Sequence, residues 1–281
     1  MAGIFIEVGP VALLKEKTGE IITMKDMNRG TVYDGPLVMM VNGNSASASE
    51  ILAAALQDYH RALIVGSQTF GKATAQRVLP LDENIKTDML KTLVKSGIGF
   101  STVTMEKVYR ITGKTAQLYG VTPDIDIPGL NSIQYREEDM SGALDADSVS
   151  KKVYYQPYPQ LPKQELKMKS GNRISRDVRF KQIAALEREI IAEQEKEISL
   201  NWQDFKKHYT EKKQLMNEVA SSSKPSVTFT ISNPQVESQR MGLDSYMENF
   251  TSNWTKKLLT DAALEEAYYI ISDYITLRNT K

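Results

Sequence analysis

The chain has no cysteine in its 281 residues. That removes disulfides, thiolate metal sites and cysteine nucleophiles together. Histidine is nearly absent too: His60 and His208 are the only two, so a Ser-His arrangement has little to draw on. Neither sign of charge is in excess, since Lys+Arg and Asp+Glu each total 35. That balance argues against a nucleic-acid binder that works by broad phosphate neutralisation, while leaving room for a local basic patch. No apolar run approaches the roughly 18 residues of a membrane span. No charged start leads through an apolar stretch to a small-residue cleavage site, so no signal peptide is read and membrane association is not encoded. Glycine-rich phosphate loops and His-containing metal motifs are also missing, and no cofactor and no metal are expected. Composition does not fix the compartment, because a cysteine-free chain suits the cytoplasm and a bacterial periplasm alike.

What remains supports a real core: 41% of the residues are apolar, enough for one large domain or two ordinary ones. The opening, Met1 to Glu7, begins without a cap, a turn or a polar tail, and reads as a chain entered inside a domain that lacks its natural N-terminal part. Leu37 to Val41 and Ala62 to Val65 are short apolar runs without alternation, as expected of strands buried on both faces of a parallel sheet. Ser47 to Tyr59 lies between them, with Ile51, Leu52, Leu56 and Tyr59 at helical spacings. Strand, helix and strand in about 30 residues make a βαβ unit. A strand is expected over Thr74 to Leu79, and a strand or hairpin over Ser101 to Ile111. Residues 82 to 98 read as an inserted polar segment with a helix over Asp88 to Lys95, and Gly120 to Pro128 as the extended end of the first domain.

The composition then shifts. Residues 131 to 175 are rich in Asp, Ser, Lys, Tyr and Pro and read as a linker punctuated at Pro157 and Pro159. Long helices are expected over 176 to 219, with one apolar stripe at Ile183, Leu186, Ile190 and Ile191 and another at Ile198, Trp202, Phe205 and Tyr209. Acidic and basic residues balance there, as on a salt-bridged solvent face. Ser221 to Pro225 reads as a loop. A last helix is expected from Asp261 to Leu277, with Leu264, Tyr268, Ile271 and Ile275 on one face. The domain reading is therefore 1–130, a linker at 131–175, and a helical region at 176–281.

The chemistry sits in the βαβ unit. Ser47 falls at the strand-to-helix junction, where unpaired N–H groups and the positive end of the helix dipole favour a developing anion. The Ala48 N–H, following the serine, is placed to be an oxyanion donor. A hydroxyl needs a neighbour to take its proton, and Lys72, in Thr69-Phe70-Gly71-Lys72, is available for a Ser-Lys pairing. To act as a base, Lys72 must be partly buried so that desolvation lowers its pKa. Gln76, four residues on, can hydrogen-bond the amine without adding charge. Asp58 lies 11 residues after Ser47, near three helical turns, so the two can share a face. Plain readings stand beside these. Ser45, Ser47 and Ser49 each suit a helix cap, Lys72 suits a surface lysine in a glycine turn, Asp58 suits a partner for Arg61 or a cap on a neighbouring strand, and His60 suits a surface residue at the helix end.

Taken together, residues 36 to 128 resemble the C-terminal processing peptidases, most closely the tail-specific protease branch. The resemblance rests on Ser45-Ala46-Ser47-Ala48-Ser49-Glu50, Ala53 to Tyr59, Arg61 to Gly66, Thr69-Phe70-Gly71-Lys72, Gln76 and Gly120-Val121-Thr122-Pro123-Asp124. It implies a serine endopeptidase in which Ser47 is the nucleophile, Lys72 the general base, Gln76 the orienter of the lysine and Asp58 a supporting aspartate. It also implies an α/β, crotonase-like ββα core (partial here) followed by a mostly α-helical C-terminal domain. Its implied partners are protein or peptide substrates with accessible C-termini, and its implied location is the periplasm or cell envelope. Self-association through the helical domain is a further expectation. Departures are Ala73, where a glycine is common, and the poorly aligning 82–98 segment. The glycine-rich stretch that supplies a second oxyanion N–H, and a PDZ domain, would lie upstream of Met1, so weak or absent activity is expected of this chain. Two other readings stay open: a non-catalytic peptide-binding or assembly module on the same fold, and a crotonase-like acyl-CoA enzyme.

Overall fold

The computed structural model describes residues 1–82, 99–129, 135–150, 153–194, 199–222, 228–242 and 244–280. The expected helix over 88–95 lies outside them. The run Ala62 to Val65 is buried throughout, as its lack of alternation demands, whereas Leu37 to Val41 is only partly so, with Met40 exposed. Strand β1 (Gly9–Glu16) and strand β2 (Ile21–Asp26) form a hairpin. They are followed by β3 (Val38–Val41), helix α1 (Ala48–Asp58), β4 (Leu63–Gly66), β5 (Thr74–Pro80), β6 (Phe100–Tyr109) and β7 (Ile125–Asp126). The strands make two sheets. One is antiparallel, in the order β2-β1-β6-β5; the other is β3-β4-β7, with both of its pairings parallel. In the parallel sheet Val38 lies opposite Leu63 and Val41 opposite Gly66. The expected βαβ unit is therefore present, and Ser101 to Tyr109 is one strand rather than a hairpin. The β1–β2 hairpin carries no signal strong enough to be read in advance.

Every residue of β4 is buried, and its side chains divide between two cores. Ile64 packs with Ala53 and Leu56 of α1, together with Ile6, Ala12, Ala73 and Val121. Leu63 and Val65 face the other way, against Ile125, Ile127, Leu166, Phe180 and Ile270. Complete burial of side chains of this size stabilises by about 1.5–3 kcal/mol each. The parallel sheet is thus a wall with a core on either side, which fixes where the β3-to-α1 junction emerges.

The helices are α2 (Lys163–Arg176), α3 (Val178–Gln194), α4 (Trp202–Ser222), α5 (Gln235–Met241), α6 (Ser245–Leu259) and α7 (Ala262–Asn279), of which α2, α3 and α7 supply the second core. The structure differs here from the sequence expectation in four places, the last and smallest on α3. First, α2 takes up residues 163–175 at the end of the expected linker, and Leu166 is buried in the second core. Val153, Tyr155 and Tyr158, also within it, pack on the first core. The prolines there punctuate a packed strap instead of a free tether. Second, the face of α7 that packs inward carries Ala262, Ala267 and Ile270, while Tyr268 and Ile275 of the expected face are exposed. The inward face is disguised in the sequence because it also holds buried Glu266. Third, Trp202, Phe205 and Tyr209 of α4 form an exposed ladder of stacked rings instead of a core stripe. On α3 the expected stripe holds at Leu186 and Ile190, and Ile191 is exposed.

Glu266 tolerates its burial because Arg173 of α2 meets both carboxylate oxygens, at 2.7 to 3.0 Å, while another guanidinium nitrogen reaches Asp273 at 2.7 Å. Removing one partner of such a pair strands a buried charge. Arg173→Ala is expected to destabilise the chain by about 3 kcal/mol, read by urea denaturation, and a loss under about 1 kcal/mol would show that the pair behaves as a surface ion pair.

Candidate active site

After β3 the chain turns so that Asn42 N–H donates to the Ser45 hydroxyl at 3.1 Å and Ser45 N–H to the Asn42 carbonyl at 2.8 Å. Ser45 is therefore consumed by the turn. Ser47 is the N-cap of α1, at φ 56° and ψ −114°. A residue with a side chain is rarely found there, and holding one costs about 1–3 kcal/mol. Its hydroxyl makes no capping bond and stands exposed at the helix start. The cap comes instead from Glu50, whose Oε2 accepts the Ser47 N–H at 2.8 Å. That is the returning half of a capping box. The Ala48 N–H belongs to the first helical turn, whose donors have no intrahelical acceptor.

Glu50 is 2% exposed and does more than cap. Its Oε1 accepts from the Thr69 hydroxyl at 2.5 Å and from the Gly71 N–H at 2.7 Å, and its Oε2 also accepts from the Lys72 N–H at 2.9 Å. One carboxylate thus joins the start of α1 to the loop before β5. Burial pushes the Glu50 carboxyl above its ordinary range, and the hydrogen bonds from Thr69, Gly71, Ser47 and Lys72 pull it back part of the way. Thr69 extends the tie, because its hydroxyl oxygen accepts the Val121 N–H at 2.6 Å. Gly71 must be glycine: at φ 101° its backbone is left-handed, and a Cβ would sit 2.3 Å from the Leu118 carbonyl oxygen.

Lys72 is half-buried and separates two hollows. The first is a narrow cleft of about 20 Å³ lined by Ser47, Glu50, Ile51, Lys72, Ala73 and Arg110, among others. Ser47 and Lys72 share that cleft with no direct hydrogen bond between hydroxyl and amine. The cleft holds little more than one water. The second hollow, about 440 Å³, lies among Ala46, Phe70, Lys72, Gln76, Thr104 and Met140. The strand pairing explains how Gln76 comes to it. The register between β5 and β6 shifts after Ala75, so that Gln76 faces Thr104. The Gln76 amide donates to the Thr104 hydroxyl at 3.4 Å, so it shares a cavity with Lys72 without bonding it.

Asp58 does not pair with Arg61. The Arg61 guanidinium is spent on the carbonyls of Phe5, Tyr33 and Gly35, at 2.7 to 2.9 Å. Asp58 instead takes a two-pronged contact from Arg110, at 2.5 and 3.1 Å, and Arg110 also reaches the Gln57 side chain at 2.9 Å. Arg110 lines the Ser47–Lys72 cleft, so Asp58 meets that cleft through it. His60 sits at the helix end at φ 55°, its ring against the Tyr158 carbonyl and Gln160. That leaves it outside the cleft.

Sequence reading thus brought Ser47, Lys72 and Gln76 to one region but gave no role to Glu50, Thr69 or Arg110. The signal for Glu50 was present in Ser47-Ala48-Ser49-Glu50, a capping-box spacing. Arg110 had none, since only the fold brings β6 to α1. Glu50→Gln tests the hub. An amide offers one acceptor oxygen where the carboxylate offers two, so two N–H or O–H donors lose their acceptor. At roughly 1–3 kcal/mol for each stranded donor, a loss of about 2 kcal/mol or more is expected in urea denaturation, with faster amide exchange at Ser47 and Lys72. Unchanged stability and exchange would contradict the assignment.

Known proteins bear on this geometry. Residues 1–127 match the family model for peptidase family S41, and residues 130–276 match that for the C-terminal domain of tail specific protease. The chain is 37% identical over 155 residues to the tail-specific protease of Haemophilus influenzae, covering 55% of this chain and 21% of that protein. It is 35% identical over 122 residues to the carboxy-terminal-processing protease of Bartonella bacilliformis, covering 43% of this chain and 25% of that one. Among solved structures, the photosystem II D1 C-terminal processing protease aligns at 31% identity and a TM-score of 0.34, over 45% of this chain and 29% of its own. The chain therefore spans only about a fifth to a quarter of the length of these curated relatives. With both parts of the sequence matched in order, the chain belongs to peptidase family S41, in its tail-specific protease branch.

Proposed function

We propose that this chain carries the nucleophile and base of a serine endopeptidase that cuts protein substrates near their C-termini. The observation that carries this reading is the single buried carboxylate of Glu50, which holds the Ser47 N–H and the Lys72 N–H together at 2.8 and 2.9 Å. Membership of the S41 family and the names of the relatives support it. In the proposed reaction the Ser47 Oγ attacks the scissile carbonyl as its proton passes to the Lys72 amine. The oxyanion forms against the Ala48 N–H. Collapse breaks the peptide bond, and the departing amine takes the proton from Lys72. Water then cleaves the acyl ester, with Lys72 again receiving a proton. Gln76, from the cavity beside the amine, orients Lys72, and Asp58 steadies Arg110 at the edge of the cleft. The core would be of crotonase-like ββα type, working in the periplasm or cell envelope on substrates with accessible C-terminal ends.

One observation favours a second reading. The Ser47 hydroxyl and the Lys72 amine are not hydrogen-bonded to each other, as in a peptide-binding module that does no chemistry. Catalytic contacts often tighten only around substrate, so cleavage decides. With a C-terminally tagged peptide, slow turnover is expected. Ala48 is the one oxyanion donor assigned, and one donor accounts for about 10²–10³ in rate. Ser47→Ala and Lys72→Met should each abolish cleavage while the circular dichroism spectrum and melting temperature hold. Cleavage that survives Ser47→Ala overturns the catalytic reading, and fast turnover by the unsubstituted chain overturns the single-donor expectation.

A further inference from the structure

The cavity beside Lys72 has a wall that the reaction scheme does not use. Residues 136–144 run along it, contributing Glu137, Met140, Ala143 and Leu144. Nothing in a segment so rich in small and charged residues would hold it there by hydrophobic burial alone, yet it is fastened at several points to the lysine loop. The Glu137 N–H donates to the Phe70 carbonyl at 3.2 Å, and the Arg136 guanidinium donates to the Thr69 carbonyl at 3.0 Å. The strongest tie is Gln117, a polar side chain only 1% exposed. Its Oε1 accepts the N–H of Ala73, the residue after Lys72, at 2.9 Å. Its Nε2 donates to Glu137 Oε1 at 3.0 Å and to the Leu144 carbonyl at 3.1 Å. Both ends of the wall and the chain at Lys72 therefore meet on one amide group.

We propose that Gln117 is a positioning residue: it clamps the 136–144 wall to the lysine loop, so that wall and base move as one body. The chemistry needed is specific to an amide. It must present an acceptor to the Ala73 N–H and two donors to a carboxylate and a carbonyl, which Gln supplies and Glu does not. A carboxylate at this site would face Glu137 with like charge and leave the Leu144 carbonyl without its donor. The consequence for catalysis rests on the proposed function above. A substrate side chain filling the cavity presses on the wall, and through Gln117 that pressure reaches Lys72, so occupancy of the cavity and alignment of the base are linked.

Hydrogen exchange by mass spectrometry, in the full chain, tests the clamp whether or not the chain turns over peptide. In Q117E, exchange over 69–76 and over 136–144 is expected to rise together by about tenfold or more, with α1 and α7 unchanged. E137Q combined with Q117E removes the like-charge contact and is expected to restore protection over 69–76 and at the 137 end of the wall, while the Leu144 end, whose carbonyl still lacks its donor, stays loosened. Where turnover is measurable, Q117E should lower kcat by about tenfold or more with KM little changed, since small misplacements of a base act on the chemical step, and the double variant should recover it. If only one segment loosens in Q117E, or if the double variant rescues neither, the clamp is refuted. If Q117E fails to fold, the milder Q117N, whose shorter amide cannot span all three contacts, carries the same paired-exchange expectation. If the clamp passes in exchange while the unsubstituted chain cuts nothing, the catalytic reading fails and the clamp stands.

Discussion

A buried carboxylate that accepts four hydrogen bonds is the constraint on which the rest of this site depends. Glu50 receives the Ser47 N–H, the Thr69 hydroxyl, and the N–H groups of Gly71 and Lys72. These donors come from chain segments more than twenty residues apart, and without a shared acceptor the left-handed backbone at Ser47 and the glycine turn at Gly71 would each be a free local strain. Strained residues persist where their surroundings over-determine them. Here the surroundings are four hydrogen bonds in a site from which water is largely excluded, where a bond to a charged acceptor is stronger than at the surface. The raised affinity of Glu50 for a proton measures how far desolvation works against that arrangement.

The fold delivers the groups to this carboxylate. The parallel β3–β4 pairing, with β4 buried on both faces, sets the start of α1 beside the loop that leads into β5. The helical region contributes by covering the far face of that sheet, with α2, α3 and α7 sharing a core with β4 and β7. The site and the helices are therefore linked through packing. Lys163 of α2 also reaches Asp124 at 2.7 Å, and Asp124 accepts the Ile64 N–H of β4 at 2.9 Å.

Legibility followed the physics of each signal. The β3-α1-β4 unit was readable because unbroken apolar runs and a helical spacing have few other solutions. The serine junction and the glycine-lysine loop were readable through the order and spacing of their motifs, which resemble those of the C-terminal processing peptidases. The inward face of α7 was not, since Glu266 occupies a core position by virtue of Arg173, ninety-three residues away. Asp58 was matched to Arg61, its near neighbour, whereas the fold supplies Arg110, the residue just after β6. Gln117 carried no signal that singled it out. Its role depends on three partners brought together only by tertiary structure. Local periodicity reveals elements; contacts between distant segments assign partners, and the candidate site is made chiefly of the latter.

The central claim is that one carboxylate places a serine hydroxyl and a lysine amine for proton transfer. It is tested most directly by the distance from Ser47 Oγ to Lys72 Nζ in a crystal structure of the chain bound to a peptide boronate. The account predicts hydrogen-bond reach, about 2.6–3.2 Å, with the Glu50 contacts intact. An amine turned into solvent away from a boronate-bound Ser47, or a boronate that leaves Ser47 untouched, would contradict it.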